Sequence, residues 1–492
     1  MKKPLYTYQP RECDYRWKGG KITNKLFGSS LHALAAFLFA FTPTCPYASF
    51  SAPRLPALPT SVGRLNQRSS KAAIRMSAGD VSGEHRRCVI IGGTGRIGSA
   101  VAIHLLQISP SPLEIVLAGR DFSRGMAAVT EVQSETSASL SNASSTVRYQ
   151  ALDWRNKEAL AAILEGASAV IHTAGPYAGE KPQILKAAIE GGVPVYVDLS
   201  DPVDYLAEAQ SLSDLARGAG TLALCAAGAF PGLSNVLAME CAARLNNRSR
   251  VKDVDFNYFT SGLGGSGEIN LLITNEGFGD YVPVYRGGVY APQLDAGGDL
   301  RRVKFYFSED DPSFSLVGEK TVWNWPFPEG FTVARQLNVT GDSSVGMGTA
   351  PELWNTIMGA MCAFVPRDWW RSRKFSEGLA RFSKPLVAIT DAFVGETHAM
   401  RIDVKAEDGE TSSAVHAHTS FRRVVGQSCA EFTQALLQGR GRSLPESGVY
   451  LPEQLFSSPA ARKPVLERLL SVDGTLNYGF KAGSVVKKNT LQ

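Results

Sequence analysis

Cysteine, histidine and long apolar runs are all scarce in this 492-residue chain. The seven cysteines, at positions 13, 45, 88, 225, 241, 362 and 429, form no Cys-x-x-Cys pair, which excludes a zinc ribbon and a disulfide framework. The histidines also number seven, and His416-x-His418 has no third ligand nearby, so no metal is expected. No serine sits on a nucleophile elbow with a histidine and an acid to match, which argues against a hydrolase of that type. Beyond residue 79 no apolar run reaches the roughly 18 residues that a membrane-spanning helix needs. Internal repeats are absent as well.

Acidic residues are missing from one stretch in particular, since none lies between Asp14 and Asp80. Residues 1–79 carry a net +10, so the rest of the chain is at −5 although the whole is at +5. A mildly acidic body gives no support to a nucleic-acid partner, and none is expected, because binding phosphates requires a basic face. The basic stretch, rich in Ser, Ala, Arg and Pro, reads as a targeting presequence rather than as structure. Within it, Leu31–Phe41 (LHALAAFLFAF) suits a signal-peptide core and is too short to span a bilayer, which takes about 20 residues. Ala48-Ser49-Phe50-Ser51-Ala52-Pro53 then resembles the junction of bipartite plastid presequences. The expected location is the plastid stroma, with the secretory pathway or a mitochondrion as alternatives.

Apolar residues and glycine are present in quantity: 44% of the chain is hydrophobic, with 47 glycines. From Arg86 a strand (RRCVII), a glycine turn (GGTGRIGS), a helix (AVAIHLLQI) and a second strand (EIVLAGR) open a βαβ unit. VRYQALD, ASAVIHTAG, VPVYVDLSD and TLALCAAGAFPG continue the series, with helices at Lys157–Leu164 and Gln183–Glu190. Short apolar strands alternating with helices predict a Rossmann-type doubly wound parallel sheet. After about Asn235 the pattern alternates apolar and polar, as in VKDVDFNYFTSG and RRVKFYFS, which predicts an antiparallel sheet with one face covered. The expected organisation is therefore a presequence at 1–79, a Rossmann domain at 80–235, an inserted α+β domain at 236–425 carrying substrate or dimer contacts, and a segment at 426–492, opening with a helix at Ser428–Leu437, that returns to the first domain.

Gly93-x-Gly95-x-x-Gly98 lies between a strand and a helix, the setting in which this spacing carries a mechanism. Gly93 permits the tight turn, Gly95 lets backbone approach a pyrophosphate, and Gly98 lets helix pack on strand, while the helix N-terminus at Thr94, Arg96 and Ile97 offers N–H groups to an anion. The second strand ends at Arg120 instead of the carboxylate that would hold the ribose hydroxyls of NAD. A guanidinium there suits a 2′-phosphate, so the cofactor is expected to be NADP in preference to NAD, with the neighbouring Asp121 as a complication. Arg96 is a second phosphate candidate. Asp153 and Trp154, ending the third strand, are placed to flank an adenine or to cap and pack the surface. Thr173, Ala174, Gly175 and Pro176, ending the fourth, lie where a nicotinamide would sit.

GGTGRIG with LAGR, then VIHTAGPYAG, AAIEGGVPVYVDLSD and AGAFPGLSN, together resemble the saccharopine dehydrogenase-like oxidoreductases, and the resemblance runs over nearly all of the chain after the presequence. It implies a nucleotide-binding domain split by a mixed α/β domain that shapes a small-molecule cleft and often a homodimer interface. Hydride transfer to or from a C=N or C=O bond of an amino-acid-type molecule is the expected chemistry. A C=C reductase acting on a lipid or isoprenoid, or a nucleotide-binding protein without catalysis at a membrane or lipid-droplet surface, are the alternatives.

Such chemistry needs a proton donor and an acceptor site. Tyr177, just after the fourth strand, and Asp201, after the fifth, are the catalytic candidates. Asp198, Ser200, Phe230, Pro231 and Gly265 are candidates for the substrate side. Tyr177-x-x-x-Lys181 mimics a known dyad, but Pro182 disfavours helix at Lys181. Arg367-Asp368-Trp369-Trp370-Arg371-x-Arg373-Lys374-Phe375 mixes aromatic and basic side chains, as a helix at a domain or subunit interface does, or one making peripheral membrane contact through Trp369–Phe375.

Overall fold

The computed structural model describes residues 86–137, 144–245, 249–262 and 268–483. Residues 1–79, the expected presequence, and Gly265 lie outside them. The described residues fall within one compact unit, Gly79–Gln492.

The first half runs β1 (Arg86–Ile91), α1 (Arg96–Ile108), β2 (Leu113–Gly119), α2 (Phe122–Thr136), β3 (Thr146–Ala151), α3 (Lys157–Leu164), β4 (Ala169–His172), α4 (Gln183–Glu190), β5 (Val195–Asp198), α5 (Val203–Ser211), α6 (Ser213–Ala219) and β6 (Leu222–Leu224). The strands pair in parallel in the order β3-β2-β1-β4-β5-β6. Apolar runs without alternation become central strands because helices cover both faces, and Val89, Ile91, Val116, Val170 and Tyr196 form one core with Leu185 and Leu206 of α4 and α5. The order of strands reverses between β1 and β4, the switch point at whose carboxyl edge a doubly wound sheet binds its ligand.

The second half follows α7 (Leu233–Arg244) with β7 (Val251–Ser261), α8 (Glu268–Gly277), a ribbon of β8 (Tyr285–Arg286) and β9 (Val289–Tyr290), β10 (Arg301–Lys304), α9 (Pro312–Leu316), β11 (Glu319–Asn324), α10 (Glu329–Leu337) and β12 (Ser343–Ala350). Three helices come next, α11 (Glu352–Phe364), α12 (Arg367–Trp370) and α13 (Arg373–Val394), and then β13 (Thr397–Ala406) and β14 (Thr411–His418). The sheet built from β10, β11, β12, β7, β13 and β14, completed to seven strands by the last strand of the chain, is mixed rather than purely antiparallel, because β12 runs parallel to β7 at its centre. Alternation of apolar and polar residues reports which face is covered, not which way the neighbouring strand runs.

The remaining elements are α14 (Phe421–Gly439), β15 (Gly448–Tyr450), α15 (Pro452–Leu455), α16 (Pro459–Leu470) and β16 (Thr475–Gly483). Helix α14 begins seven residues before the expected start, because Ser420 caps it by accepting the Arg423 N–H at 3.3 Å. It packs along α1, and β15 adds a parallel strand beside β6. The last strand crosses back: β16 pairs antiparallel with β14 in the second sheet.

Candidate active site

Parallel pairing lines the loops after β1, β2, β3, β4 and β5 along one edge of the first sheet. Gly92, with φ of +84°, makes the turn out of β1 while its flank lies against the Ala174 backbone, where a Cβ would come to 2.7 Å of the Ala174 nitrogen. Gly98 packs the helix onto that turn, and a Cβ there would sit 2.5 Å from the Gly92 oxygen. Gly95 differs, since a Cβ would meet only the Gly92 oxygen, at 3.1 Å. That residue is the N-cap of α1 and provides no side-chain acceptor. The first-turn N–H groups and the half-buried Thr94 and Ile97 therefore frame an open anion site at the helix end.

At the end of β2, Gly119 makes room for the Thr94 side chain, and Arg120 is exposed with no ion pair among the described residues. Asp121 is engaged as the N-cap of α2, its Oδ1 accepting the Arg124 N–H at 2.9 Å. The carboxylate that would compete with a 2′-phosphate is thus held by backbone, and the free guanidiniums of Arg120 and Arg96 face solvent. These residues fit NADP: an open cap for the pyrophosphate and an unpaired guanidinium where the 2′-phosphate falls.

Asp153 is exposed, one oxygen accepting the Arg155 N–H at 3.1 Å. Trp154 packs against the core with the Arg155 guanidinium 4.4 Å above its ring. Thr173 closes β4 by donating its N–H and its hydroxyl to the Ile91 oxygen, at 2.8 and 3.1 Å, and the chain continues through Ala174, Gly175 and Pro176 at the switch point.

Tyr177 turns inward. Its hydroxyl donates to the His172 oxygen at 2.7 Å and accepts the Leu199 N–H at 3.3 Å, tying the end of β4 to the end of β5. Burial and the nearby Asp198 carboxylate push its pKa well above the ordinary tyrosine value, so its proton stays in a structural bond. The mimicked dyad is not formed: Lys181 pairs instead with Glu208 at 2.7 Å on the surface.

Asp198 is fully buried and accepts from the Ser200 N–H and the Ala226 N–H at 3.1 Å each, from the Ser200 hydroxyl at 2.5 Å and from the Tyr196 hydroxyl at 3.1 Å. Saturated by donors, Asp198 and Ser200 hold the β5 edge rather than facing a cleft. His172, missed in the sequence, joins this cluster through Nδ1, 3.3 Å from the Tyr196 hydroxyl, and burial lowers its pKa to about 4. The signal was a lone polar residue inside the apolar run AVIH.

Asp201 remains half-buried, its pKa raised to about 6 by burial, with like charge from Asp198 and Asp280 adding to the rise. Asp280 belongs to the second half of the chain. Phe230 sits at the junction of the two sheets, its ring stacked on Tyr258 at 4.4 Å and on His398 at 5.1 Å, and Pro231 follows it into the turn before α7. His416 and His418 are buried in the second sheet, and among the described residues no group of three or more His, Cys, Asp or Glu could hold a metal. Trp370 is buried against Phe278 and Phe375. No helix among the described residues is long and apolar enough to cross a membrane.

Residues 88–224 match the family described as the saccharopine dehydrogenase NADP binding domain. Among solved structures, the apo L-Glu-forming saccharopine dehydrogenase of Saccharomyces cerevisiae aligns with 81% of this chain and 100% of its own, at 14% identity and a TM-score of 0.54. Pen from Bacillus thuringiensis aligns over 29% of this chain and 49% of its own, at 21% identity and a TM-score of 0.20. A comparison of the sequence with curated proteins finds no match.

Proposed function

We propose, from the premise that this chain is an NADP-linked oxidoreductase of the saccharopine dehydrogenase type, that hydride passes to or from a C=N or C=O bond of an amino-acid-type small molecule in the cleft above β4 and β5. NADPH bound at the glycine turn supplies the hydride. The chain's own residues do the rest. The α1 N-terminus and Arg120 anchor the phosphates, Thr173 to Pro176 set the floor beside the nicotinamide position, and the Tyr177 clasp fixes the spacing of the β4 and β5 edges. Reduction also consumes a proton, and Asp201, protonated up to about pH 6, is the group assigned to deliver it; in the oxidative direction its carboxylate takes the proton up. The buried, donor-saturated Asp198 below keeps the edge rigid.

The observation that carries this reading is the unpaired Arg120 beside an Asp121 already spent as a helix cap. A fluorescence titration of the purified protein with NADPH and NADH tests it. We expect micromolar binding that prefers NADPH, and about a ten- to hundredfold loss of that preference in Arg120→Ala, the worth of a charge-assisted contact. An unchanged preference in the variant would remove Arg120 from the site. Residues 1–79 we read as a plastid presequence, to be tested by fusing them to a fluorescent protein; a cytosolic signal would refute it.

A further inference from the structure

The second sheet has β10 and β16 as its edge strands, and the chain that follows β10 draws the two edges together. Asn477 of β16 donates to the Ser313 hydroxyl of α9 at 3.0 Å. The Phe307 ring lies against Gly479, where a Cβ would meet it at 3.5 Å. From β13, Arg401 donates through Nη1 to the Lys304 oxygen at 3.0 Å and holds its guanidinium 5.7 Å from the centre of the Phe307 ring. The edges do not close completely. A cavity of about 460 Å³ remains at the seam, a size in the range of small-molecule sites.

The charge around this cavity is unbalanced. Lys304, Arg401 and Lys481 line it, with Glu309 as the one acid among the lining residues. Arg401 is paired with Asp403, which accepts from its Nε at 2.7 Å and from its Nη2 at 2.9 Å and also takes the Ser413 hydroxyl. Asp403 is thereby spent, and the two lysines are left over. Glu319, opposite Lys304 in β11, pairs instead with Arg302 at 3.6 Å, and Lys481 stands across from Ser413 in the β14–β16 register. No carboxylate lies within ion-pairing distance of either ammonium among the described residues. Two unpaired ammonium groups at one concave site suit a phosphate, which accepts from several donors at once. Tyr306 and Phe307, half-buried on the same wall, offer ring surface to whatever carries that phosphate.

We propose that the seam between β10 and β16 is a second ligand site, taking a phosphate ester of about mononucleotide size, with its phosphate held by Lys304 and Lys481 and its organic part against Tyr306 and Phe307. The site is built wholly from the second sheet and the chain that follows β10, and it stands apart from the oxidoreductase reading above.

Isothermal titration calorimetry of the full chain with UMP tests it, in parallel with uridine and with inorganic phosphate at constant ionic strength, each with and without saturating NADPH. We expect saturable UMP binding that NADPH leaves unchanged, no binding of uridine, and at least about tenfold weaker binding of inorganic phosphate. Lys304→Met and Lys481→Met keep the aliphatic stems, and each should weaken UMP binding by about tenfold. NADPH affinity of both variants should stay within about twofold of the parent, because neither lysine belongs to the glycine turn. UMP binding that is absent, displaced by NADPH, matched by uridine or by inorganic phosphate, or unchanged in either variant overturns the site.

Discussion

Tyr177 and Asp201 follow neighbouring strands and carry opposite assignments, because one hydroxyl is spent on backbone and one carboxyl is not. Tyr177→Phe takes a partner from the buried His172 oxygen and from the half-buried Leu199 N–H. The expected cost is about 1–3 kcal/mol of stability, read as a lowered denaturation midpoint, with catalysis retained to within about tenfold. A loss of several orders of magnitude in kcat without a change in stability would instead make the hydroxyl a catalytic residue. Asp201→Asn should do the reverse, keeping NADPH affinity and abolishing the pH dependence of turnover near 6. In the unaltered protein the reductive rate should fall as pH rises through about 6 and the oxidative rate should rise, since the acid form gives the proton and the base form takes it. Superimposable pH profiles of parent and variant would remove Asp201 from the proton path.

The glycine turn and α1 act as one element, and their glycines can be separated by what a methyl group would meet. Gly98→Ala drives a Cβ to 2.5 Å from the Gly92 oxygen, so backbone must shift. Both stability, by about 1–3 kcal/mol, and NADPH affinity should drop together. Gly95→Ala meets only one atom, at 3.1 Å, and should lower NADPH affinity by about tenfold or more with little change in stability, because its Cβ intrudes on the pyrophosphate. Parallel losses in the two variants would mean that Gly95 is a packing residue. This element was legible in the sequence because its signals are local: a strand of six apolar-rich residues, glycines at fixed offsets and a helix. Helices α3 and α4 were legible for the same reason, with matching ends at Lys157–Leu164 and Gln183–Glu190. The direction of β12 beside β7 was not, since it depends on pairing between residues about ninety positions apart that leaves no periodicity behind. Tyr177 shows the same limit within a single loop: the residue type suggested chemistry, and only the packing showed where its hydroxyl points.

At the scale of the whole molecule, the two sheets are tied by a buried polar network drawn from four distant segments. Glu329, at the start of α10, accepts from the Tyr258 hydroxyl of β7 at 2.7 Å and from the Ser234 hydroxyl of α7 at 3.0 Å. Next to Ser234, Asn235 donates to Glu453 of α15 at 2.8 Å. Burial, with like charge from Glu453, raises the Glu329 pKa to about 7 from an ordinary 4.5. Below about pH 4.5 the group is protonated whether the chain is folded or unfolded. Between about 4.5 and 7 the unfolded chain releases its proton while the folded one retains it, so this residue lowers relative stability as pH rises across that window. Glu329→Gln keeps an acceptor for Tyr258 and Ser234 and removes the titration. The variant's melting temperature should therefore fall less between pH 5 and 7.5 than the parent's, and at pH 8 the variant should be at least as stable. Parallel melting curves across that range would mean that Glu329 is ionised throughout and that the Tyr258 and Ser234 bonds hold a carboxylate at the junction of the sheets.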